Sequence, residues 1–451
     1  MKTKILAFLF LSLFGFYTVM AQEEEQASDT SKSENIKTGW SFGGVPVVAY
    51  DTDIGFKYGG LVNFYDYGDG SKYPKYDHSL FFEWSQTTKG SGKTQFLYDS
   101  EKLIPGLRTS GEISYLTEKA LDFYGFNGYE AYYNADYTND ELSGGDYKSR
   151  MFYKNSRNLF RVSGGLQGSI IEDKLKWFSG FAFYHQVLDT VDISSLNDGK
   201  AVEDQLPSIN GGLFQDYIEW GLIPSDQAEG GNTSILKAGL VYDTRDNEPN
   251  PMNGIWTELQ FILAPGFLGS GDYGYSRMVL THRQYFTIIP KTMNFAYRLS
   301  YQAKLTGEMP YYMLPFVFNT APKETRDGLG GAKTMRGILR NRVVGEDFVY
   351  ANLELRWKMI RTVVLNQNLY IALAGFLDGG MVTGKYELHE TVTPDAQTWL
   401  NLGADESLHI SYGAGLHFAL NENFIVTVDY GLANDPRDGN SGMYIGLNFL
   451  F

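Results

Sequence analysis

Hydrophobic and polar residues alternate along most of this chain, and the alternation is plainest near its carboxyl end. In residues 442 to 451, Met443, Ile445, Leu447, Phe449 and Phe451 fall on one face, while Tyr444, Gly446 and Asn448 fall on the other. Before that, Phe424, Val426, Val428 and Tyr430 oppose Thr427 and Asp429, and Ile410, Tyr412, Ala414, Leu416 and Phe418 oppose Ser411, Gly413, Gly415 and His417. A period of two sends successive side chains to opposite faces of a strand, so each segment predicts a strand with one apolar face. Residues 294 to 305 and 349 to 358 repeat the pattern with charges on the polar face, Arg298 and Lys304 in the first, Glu354 and Arg356 in the second.

Extended along the chain, the pattern predicts strands at 56 to 67, 77 to 88, 92 to 100, 107 to 117, 121 to 134, 149 to 170, 174 to 187, 232 to 243, 254 to 264, 272 to 287, 292 to 304, 347 to 358, 368 to 380, 408 to 420, 423 to 433 and 442 to 451. That makes sixteen, and single-chain bacterial barrels close with an even number of antiparallel strands. If the first strand rises from the periplasm, the long connections at 135 to 148, 188 to 231, 305 to 346 and 381 to 407 all follow odd strands and lie outside the cell. Short turns such as Ile289 to Lys291 and Asn421-Glu422 then share the periplasmic end.

Alternation does not say what the apolar faces touch. In a soluble sandwich they meet a protein core; in a membrane barrel they meet lipid. Two features favour lipid. Lys2 and Lys4 precede an apolar run from Ile5 to Met20 that ends in Ala21, the layout of a secretory signal peptide over residues 1 to 21. Residues 22 to 39, rich in Glu, Ser, Lys, Asp and Asn, predict a flexible periplasmic leader. The second feature is the aromatic tip at Phe449 and Phe451. The expected fold is all-β, a transmembrane antiparallel β-barrel of sixteen strands over residues 40 to 451, located in the bacterial outer membrane with lipid as its first partner.

Composition sharpens this only in part. After residue 21 no apolar run is long enough for a spanning helix. The 32 Tyr, 30 Phe and 50 Gly, beside 14 Pro, suit lipid-facing strands and aromatic girdles, although a soluble sandwich or propeller could share them. The absence of Cys argues against disulfides, thiol chemistry and a lipid anchor on Cys. A formal net charge of −15 argues against a nucleic-acid partner, which wants a basic field.

Candidate chemistry is sparse. Gly331-Ala332-Lys333-Thr334 departs from a phosphate loop at Ala332, and no βα unit surrounds it. The six His are scattered; His409 and His417 share a strand face but stand too far apart for one metal. Asp51, Asp53 and Gly55 echo a calcium turn only faintly. No catalytic, metal or cofactor site is expected.

Four segments remain, in order. Phe123-Tyr124-Gly125-Phe126-Asn127-Gly128 comes first; then Asp243-Thr244-Arg245-Asp246-Asn247 with Pro251 and Gly254; then Met335-Arg336-Gly337-Ile338 in the 305 to 346 connection; then Phe376-Leu377-Asp378-Gly379-Gly380. With them, the chain from about Gly43 to Phe451 resembles the barrel of the BamA/TamA outer-membrane assembly superfamily, also called bacterial surface antigen. The middle two are similar to its D-x-R-D-N turn and its V/I-R-G-F/Y loop motif, with Met335 and Ile338 departing from the usual flanks. The last is similar to its F-x-D-x-G strand, and the terminal Phe451 is also common there. The resemblance implies that the 305 to 346 loop folds into the lumen and is anchored by Arg336 and Gly337 against Glu354, Asp378 and Phe376. A charge held away from water needs such partners, and a planar guanidinium fits carboxylates better than Lys does. Read from spacing alone, Arg336 is better taken as an exposed loop cation beside charges that line a wet interior; the resemblance is what favours the anchor.

The resemblance further implies protein insertion or translocation without cofactor, acting on unfolded outer-membrane proteins or secreted clients. It also implies a weak seam between first and last strands, here Gly55, Gly59 and Gly60 at one side and Gly446 and Phe451 at the other; ordinary barrel glycines are the plain alternative. Family members usually carry POTRA domains, for which residues 22 to 39 leave no room, so separate periplasmic or lipoprotein partners are expected. A passive channel lined by Arg298, Lys304, Glu354, Arg356 and Asp378, or a structural scaffold, are the rival readings.

Overall fold

In the computed structural model, residues 36–51, 53–141, 146–172, 174–320, 327–364, 367–388, 396, 400–401, 404–421 and 424–451 are described. The expected signal peptide, its cleavage point and most of the leader lie outside them. Sixteen strands form one antiparallel sheet in strictly sequential order. The first eight are β1 (Trp40–Asp51), β2 (Gly55–Asp66), β3 (His78–Thr87), β4 (Gly92–Ile104), β5 (Leu107–Asp122), β6 (Lys154–Ile171), β7 (Leu175–Asp189) and β8 (Gly230–Asp243). The second eight are β9 (Gly254–Ala264), β10 (Tyr275–Ile289), β11 (Met293–Gly307), β12 (Asp347–Val364), β13 (Gln367–Gly384), β14 (His409–Leu420), β15 (Phe424–Ala433) and β16 (Ser441–Leu447).

What the apolar faces touch is settled by which side of the strands is covered. The greasy face is exposed, Phe181 at 50 % and Ile445 at 63 %, whereas the polar face is sealed, with Gln95 and Glu258 at 0 %. A water-soluble sheet buries the opposite set. The molecule is therefore inside out relative to a soluble fold, which is stable only where hydrocarbon replaces water around it. This is a transmembrane barrel. Its long connections leave odd strands, as expected: 123–153, 190–229, 308–346 and 385–408 share one end with the β15–β16 link, and the opposite end has tight turns such as 105–106 and 290–292.

At the long-loop end the lumen is filled. Aromatic residues from three connections pack edge to face: Phe126 meets Tyr217 at 5.6 Å and Tyr386 at 5.0 Å, and Phe123 meets Phe214 at 5.3 Å. Tyr217 sits on helix α1 (Gly212–Glu219), and Met313, Phe316 and Phe318 of the 308–346 connection join the same apolar cluster. The rim is tied by charge. Asp53, between β1 and β2, accepts from Arg150 at 2.8 Å and Lys200 at 3.3 Å. Burial works to raise the Asp53 carboxyl, but these two cations hold it below the usual carboxylate value. The faint calcium turn is thus occupied by the chain's own cations.

Three expectations need correction. The segment 121 to 134 is no strand beyond Asp122: Gly125, Asn127 and Gly128 take positive φ of 93°, 67° and 60°, which turns the chain inward onto the aromatic cluster. A strand at 40–51 was missed, because Gly43-Gly44-Val45-Pro46-Val47-Val48 does not alternate; the two errors cancel in the count of sixteen. Consequently Gly55, Gly59 and Gly60 lie on β2, paired with β1 and β3, and not on the first strand. Finally, the last strand stops at Leu447. Asn448 has φ 63°, and beyond it Phe449 and Phe451 are buried in the lumen, not displayed to lipid.

The inside-out arrangement makes a direct prediction. Phe181→Arg, at mid-strand on the lipid side, should cost about 2–4 kcal/mol of folding stability in bilayers. Phe267→Arg, in the exposed 265–274 link, should stay within about 0.5 kcal/mol. Urea titration of vesicle-folded protein measures both.

Candidate functional site

The strongest polar constellation lies in the lumen, where the 308–346 connection reaches the inner wall. Thr334 starts it: its hydroxyl accepts from Gly330 N at 2.9 Å and donates to Gly330 O at 3.0 Å, which tightens the turn before Arg336. Arg336 then enters the wall between β12, β13 and β15. Its Nε and Nη2 donate to the two oxygens of Asp378 at 3.0 and 3.1 Å, and its backbone N–H donates to Asp378 Oδ2 at 3.0 Å. Nη1 forms an ion pair with Glu354 at 2.8 Å and a longer one with Asp429 at 3.5 Å. The Phe376 ring lies under the guanidinium, 3.5 Å from its carbon.

Register explains the convergence. Asn352 pairs with Asp378 and Glu354 with Phe376 across β12 and β13, so all four side chains point inward at one level. Asn352 donates to Asp378 Oδ1 at 2.8 Å and to Thr334 O at 2.6 Å, holding carboxylate and loop together. Arg356 covers the far side of Glu354 at 2.7 Å, and His417 meets Asp429 at 2.9 Å. Arg336, Glu354 and Asp378 are each 1 % exposed. At that burial, a charge without its partner would be strongly unfavourable, so the cluster fixes the loop as a unit.

Gly337 is required by contact as well as by conformation. Its φ is 101°, and a Cβ would stand 2.7 Å from Leu432 N; on the facing strand a Cβ on Gly431 would stand 2.6 Å from the Arg336 carbonyl. Loop and wall meet backbone to backbone, and Gly337 N–H donates to the Tyr444 hydroxyl of β16 at 3.0 Å. The loop is therefore held by four of the last five strands.

The structure brings Arg336, Gly337, Glu354, Phe376 and Asp378 into one site. It places Asp243, Arg245, Asp246, Asn247 and Gly254 elsewhere, in the β8–β9 turn. There Arg245 donates to Asp243 at 2.9 Å, Asp246 accepts from Met252 N, and Gly254, with φ 110°, leaves room for Thr244 O. That turn is self-contained. Gly446 lies on β16, and Phe451 sits inside the lumen with an oxygen of its carboxyl end accepting from Arg356 at 2.9 Å. Asp429, Gly431 and Tyr444 were missed as anchor residues; Asp429 and Tyr444 fall on the polar faces of their strands, which is the one signal the sequence carries for them.

A second cluster closes the rim. The Tyr129 ring stacks on His409 at 4.0 Å, its hydroxyl donates to Asp438 at 2.9 Å, and Arg437 lies over its other face at 3.8 Å. Burial and the Asp438 charge push the Tyr129 phenol well above its ordinary pKa, so it remains a donor. His409 lies between Asp438 and Glu406. No group of three or more His, Asp or Glu side chains placed to hold a metal occurs among the described residues.

With this geometry in place, comparison with known proteins gives one consistent answer. The Omp85 superfamily domain matches residues 106–451. Among solved structures, the chain is similar to the crystal structure of BamA from Haemophilus ducreyi lacking POTRA domains 1-3, at 15% identity and a TM-score of 0.50, covering 98% of this chain and 77% of that one. It is also similar to CdiB from Escherichia coli, at 10% identity and a TM-score of 0.53, covering 91% of this chain and 62% of that one. At such identities the likeness is one of fold. No curated protein sequence matches the chain.

Arg336→Ala should destabilise the barrel by about 3–5 kcal/mol, because Asp378 would be left buried without a counter-charge and Glu354 would keep only Arg356. Limited proteolysis should then cut within 308–346, where the native protein resists; Arg336→Lys should give partial protection. Equal resistance in the alanine variant would refute the anchor.

Proposed function

The chain belongs to the Omp85 superfamily, and on that premise we propose that it acts in the bacterial outer membrane, without cofactor or catalysis, in the insertion or secretion of other proteins. The observation that carries this reading is the anchored loop. A lumen held shut by a buried Arg and three carboxylates, under an aromatic plug, is a poor passive pore but a good rigid scaffold for one movable edge.

That edge lies between β1 and β16. β16 has only seven residues, and no ladder joins it to β1 among the described residues. β1 instead passes close to β15: a Cβ on Gly43 would fall 2.6 Å from the Phe424 ring. The expected seam therefore moves from Gly55, Gly59 and Gly60 to β1, while Gly446 and the inward turn after Leu447 keep their side of it. Unpaired backbone on β1 offers hydrogen bonds to an extended client strand, the chemistry of β-augmentation. Unfolded outer-membrane proteins or secreted polypeptides are the clients this reading gives it, brought by separate periplasmic or lipoprotein partners.

Depletion of the protein should lower the amount of other barrels, or of a secreted client, in the outer membrane fraction; unchanged levels of both would count against the proposal. Purified protein in planar bilayers should show a closed baseline with brief openings. Steady, salt-dependent conductance would favour a passive channel instead.

A further inference from the structure

Nearly every arginine sealed inside this barrel has a carboxylate: Arg161 has Glu112, Arg157 has Glu118, and Arg356 has Glu354. Three on β10 and β11 do not, Arg277, Arg283 and Arg298. Arg283 and Arg298 are register partners, directly opposite each other on the lumen face, and are 8 % and 4 % exposed. Like charges set directly opposite on one face of a sheet repel. Arg298 gives its donors to neutral acceptors, Asn352 Oδ1 at 2.8 Å, Leu450 O at 3.3 Å and Lys333 O at 3.4 Å. Arg283 stacks on Trp256 at 4.2 Å and makes no hydrogen bond or ion pair among the described residues, and its Nε is buried without an acceptor. Glu258 is near, but outside ion-pair distance and engaged by Thr320. Arg277 lies between the Phe318 and Phe348 rings, donates to the Glu346 carbonyl at 2.8 Å, and does not border the cavity that Arg283 and Arg298 share.

Arg283 and Arg298 both border a cavity of about 460 Å³ at the short-turn end of the lumen, with Asn63, Tyr65, Asn319 and Lys333 on its wall. The carboxylates on that wall are already engaged: Asp99 and Glu248 by Arg108, Asp327 by Arg340. Two guanidinium groups thus face one cavity whose anions, the Phe451 carboxyl end included, are held by other cations, which leaves the site short of a negative charge.

We propose that this cavity binds an oxyanion, a phosphate- or carboxylate-bearing small molecule seated between Arg283 and Arg298. Planar guanidinium groups match both oxyanions with paired N–H donors. The volume exceeds what inorganic phosphate needs and suits a small organic anion. An anion bound there would relieve the repulsion across β10 and β11 and stabilise the folded barrel by mass action. The site goes beyond the assembly reading and does not depend on it.

The test uses the full-length protein in detergent, with thermal unfolding measured in chloride, inorganic phosphate or succinate at matched ionic strength. Phosphate, succinate or both should raise the midpoint over chloride, and which of them does so identifies the oxyanion. Arg283→Gln should weaken the response about tenfold or more. Arg283→Glu, which sets a carboxylate opposite Arg298, should raise the midpoint in chloride and abolish the response. If neither variant folds, phosphate titration should change tryptophan emission in the native protein and not in Trp256→Phe, while 31P line broadening persists in both. No preference over chloride, an undiminished response in Arg283→Gln, or an emission change that survives in Trp256→Phe would overturn the proposal.

Discussion

The buried guanidinium of Arg336 is the interaction on which the interior is organised. It gathers carboxylates from β12, β13 and β15 and brings with it a loop that begins on β11. Taking so many charges out of water is unfavourable unless each is matched in geometry. Here the match is close: a fork-to-fork pair with Asp378, an aromatic floor from Phe376, and Asn352 bridging carboxylate to loop. The lumen is therefore a second core, built from polarity on the inside while hydrocarbon contact supplies the outside.

This division also limits what the barrel can do. The wall is rigid where the loop grips it and the plug packs against it. It is least secured where β16 ends early and no ladder joins it to β1 among the described residues. On the proposed assembly reading, a barrel that stays sealed to solutes yet admits a polypeptide sideways needs this distribution of strength, firm through the middle and weak along one line.

Much of the fold was legible because alternation survives even when the apolar face points outward. From β6 onward each predicted strand overlaps its observed counterpart, with ends displaced by up to six residues. The failures have local causes. Gly125, Asn127 and Gly128 bend left-handed inside a segment whose aromatic content looks strand-like, and Pro46 among valines hides the alternation of β1. At Asn448 a single positive φ reverses the destination of Phe449 and Phe451. At the site, Glu354, Phe376 and Asp378 could be placed by counting faces, and the family resemblance joined them to Arg336. Asp429, Gly431 and Tyr444 could not be joined to it, since their meeting depends on how the sheet curls and on contacts about a hundred residues apart in sequence.

The backbone contact between Gly337 and Gly431 bears on how such a molecule can be made. The Arg336-Gly337 turn touches β12, β13, β15 and β16, all of which follow it in the chain. Removing the turn would take contacts from all four strands at once, so strap and wall are a single packing unit. The turn and the late strands that it grips therefore gain their stability together, as one cooperative unit.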